Sequence, residues 1–268
     1  MSRTILITGA SSGIGAGLAR AHARRGDRLV LLARRRDWLE TLAGELRALG
    51  AEVSVHVADV TREGEVAAAV RELSSRGLAL DVVYANAGFG VAGPLQQLSL
   101  EDYRRQFETN VFGLLRTVYE TVDALRGARG RLVLVGSVAG HVAAPGASAY
   151  ASSKFAVRAL AESLRGDLLG AGIGVTLVSP GFVNSDIRRT DNRGVLRAEA
   201  PDPVPSWLRV ETEVAVREIL RGVDRGRAEI VVTGHGKVIV FLARHFPGLV
   251  RALILRFYRG RPEPKPKA

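Results

Sequence analysis

Thr4-Ile5-Leu6-Ile7-Thr8-Gly9-Ala10-Ser11-Ser12-Gly13-Ile14-Gly15 begins with a short apolar run, passes through a glycine- and serine-rich turn and enters a helical pattern. Ile14, Leu18 and Ala21 recur at helical spacing, which gives that helix one apolar face. Glycine lets the backbone turn sharply and approach a ligand closely, and a helix N-terminus offers unpaired N–H groups to an anion. Strand, glycine loop and helix in this order form the setting of a dinucleotide-phosphate site. The spacing differs from G-x-G-x-x-G, and a glycine turn alone is also compatible with a plain tight turn. Gly9, Ser11, Ser12, Gly13, Ile14 and Gly15 are the candidate phosphate-loop residues.

The same alternation continues outward. Strand-like runs at 4–8, 28–33, 53–58, 82–85, 131–135, 175–179 and 229–233 are separated by helix-period segments at 14–25, 38–49, 63–75, 100–125, 150–169 and 211–223. Ser99-Leu100-Glu101-Asp102 reads as a capping box. The pattern predicts an α/β fold: a doubly wound, Rossmann-type, seven-stranded parallel sheet covered on both faces, in a single domain over 1–235. Ligands bind such sheets outside the carboxyl ends of the strands. Residues 184–205, polar and proline-bearing, read as a mobile substrate loop or lid. Residues 236–260 add a basic amphipathic helical extension interrupted at Pro247-Gly248, and 261–268 read as a disordered tail.

A chain of 268 residues, 47% hydrophobic, is long enough to bury a large core. It has no cysteine, which excludes disulfides, thiol nucleophiles and cysteine-held metals and fits a cytoplasmic location. No signal peptide precedes the first strand, and Arg244, His245 and Arg251 break the last apolar stretch before it reaches spanning length. The formal charge of +11 is carried almost wholly by arginine, Lys154, Lys237, Lys265 and Lys267 being the only lysines. The arginines are spread along the chain without interleaved aromatics, so no nucleic-acid partner is expected. His22 and His56 lack metal-ligand spacing and read as structural; no metal is expected. His141 suits either the substrate pocket or a plain loop role.

Beyond the second strand stands Ala33-Arg34-Arg35-Arg36. An acid there would hold a ribose 2′-hydroxyl, whereas arginine accommodates a 2′-phosphate, so Arg34 predicts NADP(H); the alternative is a solvated arginine run at a helix start. Asp59-Val60 and Asn86-Ala87-Gly88 end the third and fourth strands on the ligand edge. Two readings stand for Asp59, an adenine contact or a helix cap. Tyr150 and Lys154, four residues apart, share one helical face. A nearby ammonium favours phenolate, which would fit Tyr150 for proton transfer to or from a substrate oxygen. Ser137 can hydrogen-bond that oxygen, and Asn110 can orient a water reaching Lys154. Singly, each is as well explained as a surface pair, a turn residue or a satisfied core amide.

Together these residues resemble the short-chain dehydrogenase/reductase family, compact branch, over about residues 3 to 235. The resemblance rests on the segment from Thr8 to Gly15, Asp59, Asn86-Ala87-Gly88, Asn110, Ser137, Tyr150-x-x-x-Lys154 and Pro180-Gly181. It implies a catalytic tetrad of Asn110, Ser137, Tyr150 and Lys154, with Tyr150 and Lys154 also at the cofactor and the lysine on its ribose hydroxyls. It further implies nicotinamide contacts from Pro180, Gly181 and the backbone of Val183, and a homodimer or homotetramer through the helices at 100–125 and 150–169. Ser185 stands where the family commonly has threonine. The activity so implied is interconversion of a ketone or aldehyde with an alcohol. Phe89, Val91, Val142, Phe182 and the loop with Trp207 suggest an apolar substrate pocket, and membrane contact by the C-terminal extension would favour a lipidic 3-keto substrate. The extension reads either as a peripheral contact on the inner membrane face or as a surface packing on the domain or a second subunit. The competing functions are a non-catalytic NADP(H)-sensing regulator, against which the complete tetrad argues, and a membrane-associated scaffold, favoured only by the basic C-terminus.

Overall fold

A computed structural model describes residues 2–259 apart from Ala198 and Pro203; the tail expected at 261–268 lies outside the described residues. Strands β1 (Thr4–Thr8), β2 (Arg28–Ala33), β3 (Val53–Val57), β4 (Val82–Ala85), β5 (Arg131–Val135), β6 (Gly174–Pro180) and β7 (Glu229–Val232) form one sheet in the order β3-β2-β1-β4-β5-β6-β7. Every pairing is parallel. Parallel neighbours need crossovers, supplied by α1 (Gly13–Ala23), α2 (Arg36–Ala48), α3 (Glu65–Ser75), α4 (Leu100–Phe107), α5 (Gly113–Ala128), α6 (Ser148–Asp167) and α7 (Thr212–Asp224).

Alternate residues of each strand feed two separate cores. Ile5, Ile7, Leu29 and Leu31 pack with Leu18, Leu39, Leu46 and Ile219 of α1, α2 and α7. Leu6, Val30, Leu32, Val83 and Leu132 pack with Leu73, Leu114, Val118 and Val157 of α3, α5 and α6. Burial on both faces explains why these strands read as continuous apolar runs. Winding reverses between β1 and β4, and the crevice at that switch point receives the carboxyl ends of both.

One expected element is divided. Instead of a continuous helix over 100–125, a π-helical turn over Glu108–Phe112 separates α4 from α5. At its end Gly113 lies so close to Val60 that an added Cβ would stand 2.6 Å from Cγ2. The expected capping box is present, Ser99 accepting from Asp102 N–H while the Asp102 carboxylate accepts from Ser99 N–H. Beyond β7 the chain forms α8 (Gly234–His245) and α9 (Pro247–Tyr258), with 116° between them. No helix among the described residues is long and apolar enough to cross a membrane.

Candidate active site

The glycine loop is folded against the end of β4. Gly9 has φ +65, and a Cβ there would stand 2.8 Å from Ala87 Cα; at Gly15 it would stand 2.4 Å from the Gly9 carbonyl oxygen. Any side chain would force the loop and β4 apart. Asn86 secures the junction by donating from Nδ2 to the Thr8 and Gly9 carbonyls at 2.9 and 3.3 Å. Thr8 Oγ1 accepts from the N–H groups of Asn86 and Ala87 at 3.0 and 3.1 Å. Gly13 faces Ser185 in the segment after β6, where an added Cβ would stand 3.3 Å from the Ser185 Cβ.

Two arginines follow β2 and take different positions. Arg34 is 60% exposed, 3.9 Å from Asp59 Oδ2. Arg35, at the N-cap of α2, donates from Nη2 to Ser11 and Ser12 Oγ at 3.0 and 2.9 Å. Its guanidinium also lies over the Trp38 ring, 3.9 Å from the centroid. Asp59 does not cap a helix: Oδ1 accepts from Thr61 N–H and Oγ1 in a local turn, and α3 is capped at Gly64, whose N–H donates to Glu120. The Val60 side chain is buried against α5.

On the other side of the crevice, Ser137 caps a short turn, Val138–Gly140, by accepting from Ala139 N–H at 3.1 Å. Gly140 seats that turn on α6, where an added Cβ would stand 2.6 Å from the Lys154 carbonyl oxygen. The Ser137 hydroxyl lies on the Tyr150 phenol side of this turn, and Lys154 Nζ lies 5.8 Å from the phenol ring centroid. Buried Lys154 donates from Nζ to Val135 O at 2.9 Å. Asn110, in the π turn, is buried; its amide donates to Phe89 O and Ser153 Oγ at 3.1 and 3.2 Å and accepts from Phe89 N–H at 3.1 Å. Its side chain therefore fixes the strand-end loop at Phe89, a role distinct from the expected water relay. Gly88 lies between Asn110 and Lys154. All four tetrad candidates thus come to one edge of the sheet.

Burial governs the ionisation of this pair. It pushes the Tyr150 phenol above its ordinary value, against the opposing pull of the Ser137 hydroxyl and the Arg188 charge. It holds the Lys154 ammonium down to about 8. The expected depression of the phenol is not present in the protein alone, because loss of hydration outweighs the groups that favour phenolate.

The donor set fits a nicotinamide dinucleotide. The first turn of α1 has no side-chain cap and no acidic residue, which suits a pyrophosphate. The buried Lys154 ammonium has three N–H donors and one acceptor among the described residues, Val135 O, which leaves donors for ribose hydroxyls.

Several neighbours were not legible in the sequence. Gly90 lies against the Tyr150 ring and the Ile187 side chain. Arg188 donates to Val183 O at 3.1 Å and holds Asp202 in a bidentate pair at 2.8 and 2.7 Å, which keeps that carboxyl down at about 2. The 184–205 loop is thereby pinned, and Asn192 pairs with the backbone of Ala92. Thr233 has φ +80, unusual for a β-branched residue, and caps α8. His235 Nε2 accepts from Phe182 N–H at 3.0 Å, and its ring stacks on Phe182. Two expected pocket residues stand elsewhere: Val91 is buried in the core, and Trp207, on an outer turn, is 81% exposed.

His22 is structural as expected, held between Asp27 and Tyr84 at 2.7 and 3.0 Å; among the described residues no cluster could hold a metal. His141 points into the β6–β7 edge, where Nε2 meets Ser179 Oγ at 3.0 Å and Nδ1 is buried without a partner. Burial drives its pKa down to about 4. An unfolded imidazole titrates near 6.5, so between those values the unfolded chain takes up a proton that the native state refuses. Stability is therefore full above about pH 6.5 and falls as pH drops toward 4. In urea titrations, H141Q should remove about 2 kcal/mol of the wild-type loss between pH 7 and 4.5; identical losses in both proteins would refute this assignment.

The sequence matches the short chain dehydrogenase family over residues 3–195. It is 38% identical to an uncharacterized oxidoreductase of Myxococcus xanthus over 229 residues, covering 85% of this chain and 86% of that protein. It is 33% identical to 11-beta-hydroxysteroid dehydrogenase A of Sesamum indicum over 269 residues, covering 97% and 76%. Among solved structures it resembles a short chain dehydrogenase/reductase from Burkholderia phymatum in complex with NAD, with a TM-score of 0.80, 26% identity and 98% coverage of both chains. With its parallel sheet, glycine loop and family match, the chain belongs to the short-chain dehydrogenase/reductase family and is an oxidoreductase of that type.

Proposed function

We propose that the chain is an NADP(H)-dependent oxidoreductase that interconverts an apolar ketone or aldehyde with its alcohol. The observation that carries this reading is the convergence of Ser137, Tyr150, Lys154 and Asn110 on the sheet edge that also holds the uncapped α1 N-terminus and Arg35. A bound dinucleotide supplies or accepts the hydride. Tyr150 hands a proton to the substrate oxygen in reduction and takes it back in oxidation. Ser137 hydrogen-bonds the same oxygen, and Lys154 holds positive charge beneath the phenol. Because burial keeps the phenol protonated, the resting site is set for reduction.

Arg35 and Arg34 together favour a 2′-phosphate over a free hydroxyl at the end of β2. The remaining cofactor contacts are assigned to Gly9, Ser11, Ser12, Gly13, Ile14, Gly15, Asp59, Val60, Asn86, Ala87, Gly88, Pro180, Gly181 and Val183. Phe89, Val142, Phe182 and Ile187 would line an apolar substrate site, in keeping with the likeness to a hydroxysteroid dehydrogenase. Exposed Phe112 of the π turn, Tyr119 of α5 and Leu169 just past α6 suit a homodimer or homotetramer. The segment after β7 suits peripheral contact with an inner membrane face. The test is oxidation of NADPH and NADH against short-chain, aromatic, steroidal and long-chain ketones. NADPH-selective turnover on the larger apolar ketones is expected; failure to bind either dinucleotide overturns the reading.

A further inference from the structure

We propose that α8 and α9 form an in-plane anchor that docks this protein on an anionic bilayer and presents its substrate edge to membrane-dissolved carbonyl compounds. The proposal rests on the peripheral-contact reading above and assigns the contact to particular side chains, a lipid charge and a geometry.

The composition of the segment comes first. From Ile230 to Arg259 there is no Asp or Glu, whereas Lys237, Arg244, Arg251, Arg256 and Arg259 are cationic. Lys237 and Arg244 are matched by Glu218 and Glu229 of the domain. Arg251, Arg256 and Arg259 have no acidic partner among the described residues. They are the charges available to an outside anion.

The apolar side chains of the pair are left uncovered. In α9 none of the residues is buried, and α8 buries only Gly236 and Val240. Leu249, Leu253 and Phe257 follow one another at intervals of four on one side of α9 and are all exposed, Phe257 at 79%. Val238, Phe241 and Phe246 add exposed apolar surface on α8 and at the bend. At 100° per residue Arg256 borders this stripe on its Leu249 side and Arg251 lies across the helix, with Arg259 just past the end of α9. An apolar stripe bordered by arginines is the arrangement of a helix lying at the headgroup boundary.

Length and angle favour an in-plane mode over a spanning one. Each helix has 12 residues, or about 18 Å against a hydrocarbon thickness of about 30 Å. The 116° bend prevents the two from adding end to end. Charge favours a bilayer over a second copy of this chain. A two-fold contact through this surface would bring two sets of unmatched arginines together, whereas an anionic leaflet attracts each of them.

The anchor is joined to the site. His235 in the first turn of α8 holds the Phe182 N–H, and Gly236 packs on Val138 beside Ser137. A surface held by α8 and α9 is therefore continuous with the loops around Tyr150.

The test uses the full chain with vesicles of phosphatidylcholine alone or mixed with phosphatidylglycerol. Flotation with the anionic vesicles is expected, weakening as salt is raised. R256Q/R259Q should lower partitioning about 25-fold, at about fivefold per arginine near an anionic surface, and L253E/F257E should abolish it. Because these side chains are exposed, circular dichroism and melting temperature should match wild type. NADPH turnover of a long-chain ketone should rise with anionic vesicles in wild type and not in L253E/F257E, while a water-soluble ketone is reduced equally by both. Flotation without turnover would retain the anchor and overturn the catalytic reading. Equal flotation of all variants, no flotation, or loss of a dimer mass in L253E/F257E without any lipid binding would overturn the anchor.

Discussion

Y150F should reduce carbonyl turnover by about 10²–10⁴, the usual contribution of a positioned general acid, while leaving NADPH affinity within a fewfold of wild type. Among the described residues the phenol is the acidic O–H placed beside Ser137 and the Lys154 ammonium, and the substitution removes that O–H without changing the ring that packs against Gly90. S137A should produce a smaller loss, because it deletes a hydrogen bond to the substrate oxygen but no proton donor. The double variant should be little worse than Y150F, since the two act as a unit. In wild type, turnover should hold through neutral pH and decline as pH rises through about 8, where buried Lys154 loses its proton. Stopped-flow or steady-state NADPH oxidation measures all of these. A Y150F enzyme that retains half its activity would remove Tyr150 from the chemistry.

The reading of the fold from sequence succeeded where periodicity was uninterrupted. Strands buried on both faces are continuous apolar runs bounded by turns, and the runs at 28–33, 82–85 and 131–135 coincide with β2, β4 and β5. The glycine loop was legible because backbone contact at Gly9 and Gly15 leaves glycine as the residue that fits. The π turn was not. One widened turn inside a 26-residue helical pattern moves the apolar positions by a single step, which a periodicity of 3.6 absorbs as noise, yet that turn contains Asn110. The direction of the Tyr150 shift was equally hidden: spacing places a lysine near the phenol, but only packing reveals how much water both groups lose. Thr233 carries no turn signature, and its positive φ is imposed by the junction of β7 and α8, not by its own preference. The interruption of the extension at Pro247 was plain in the sequence, whereas the angle it produces depends on where α8 packs.

The arginine run after β2 is the clearest case in which sequence names the chemistry and structure chooses the residue. Arg34 is mostly exposed and faces Asp59 at 3.9 Å, so it is screened and partly neutralised. Arg35 is held by Ser11, Ser12 and the Trp38 ring, with its guanidinium between the phosphate loop and the end of β2. A preorganised guanidinium loses less freedom on meeting a phosphate and can bind two oxygens at once. Loss of a hydrogen bond to a charged group costs about 1.5–3 kcal/mol, so R35Q should raise the KM for NADPH by roughly 10- to 100-fold and change that for NADH little. R34Q should change the NADPH value by less than about fivefold, as expected of an exposed charge. R35K should recover only part of the loss, because an ammonium keeps the charge without the planar fork or the stacking on Trp38. Paired KM measurements with both dinucleotides separate the two arginines. If R34Q proves the more damaging, the 2′-phosphate is read from the Asp59 side of the crevice and Arg35 serves only to brace the glycine loop.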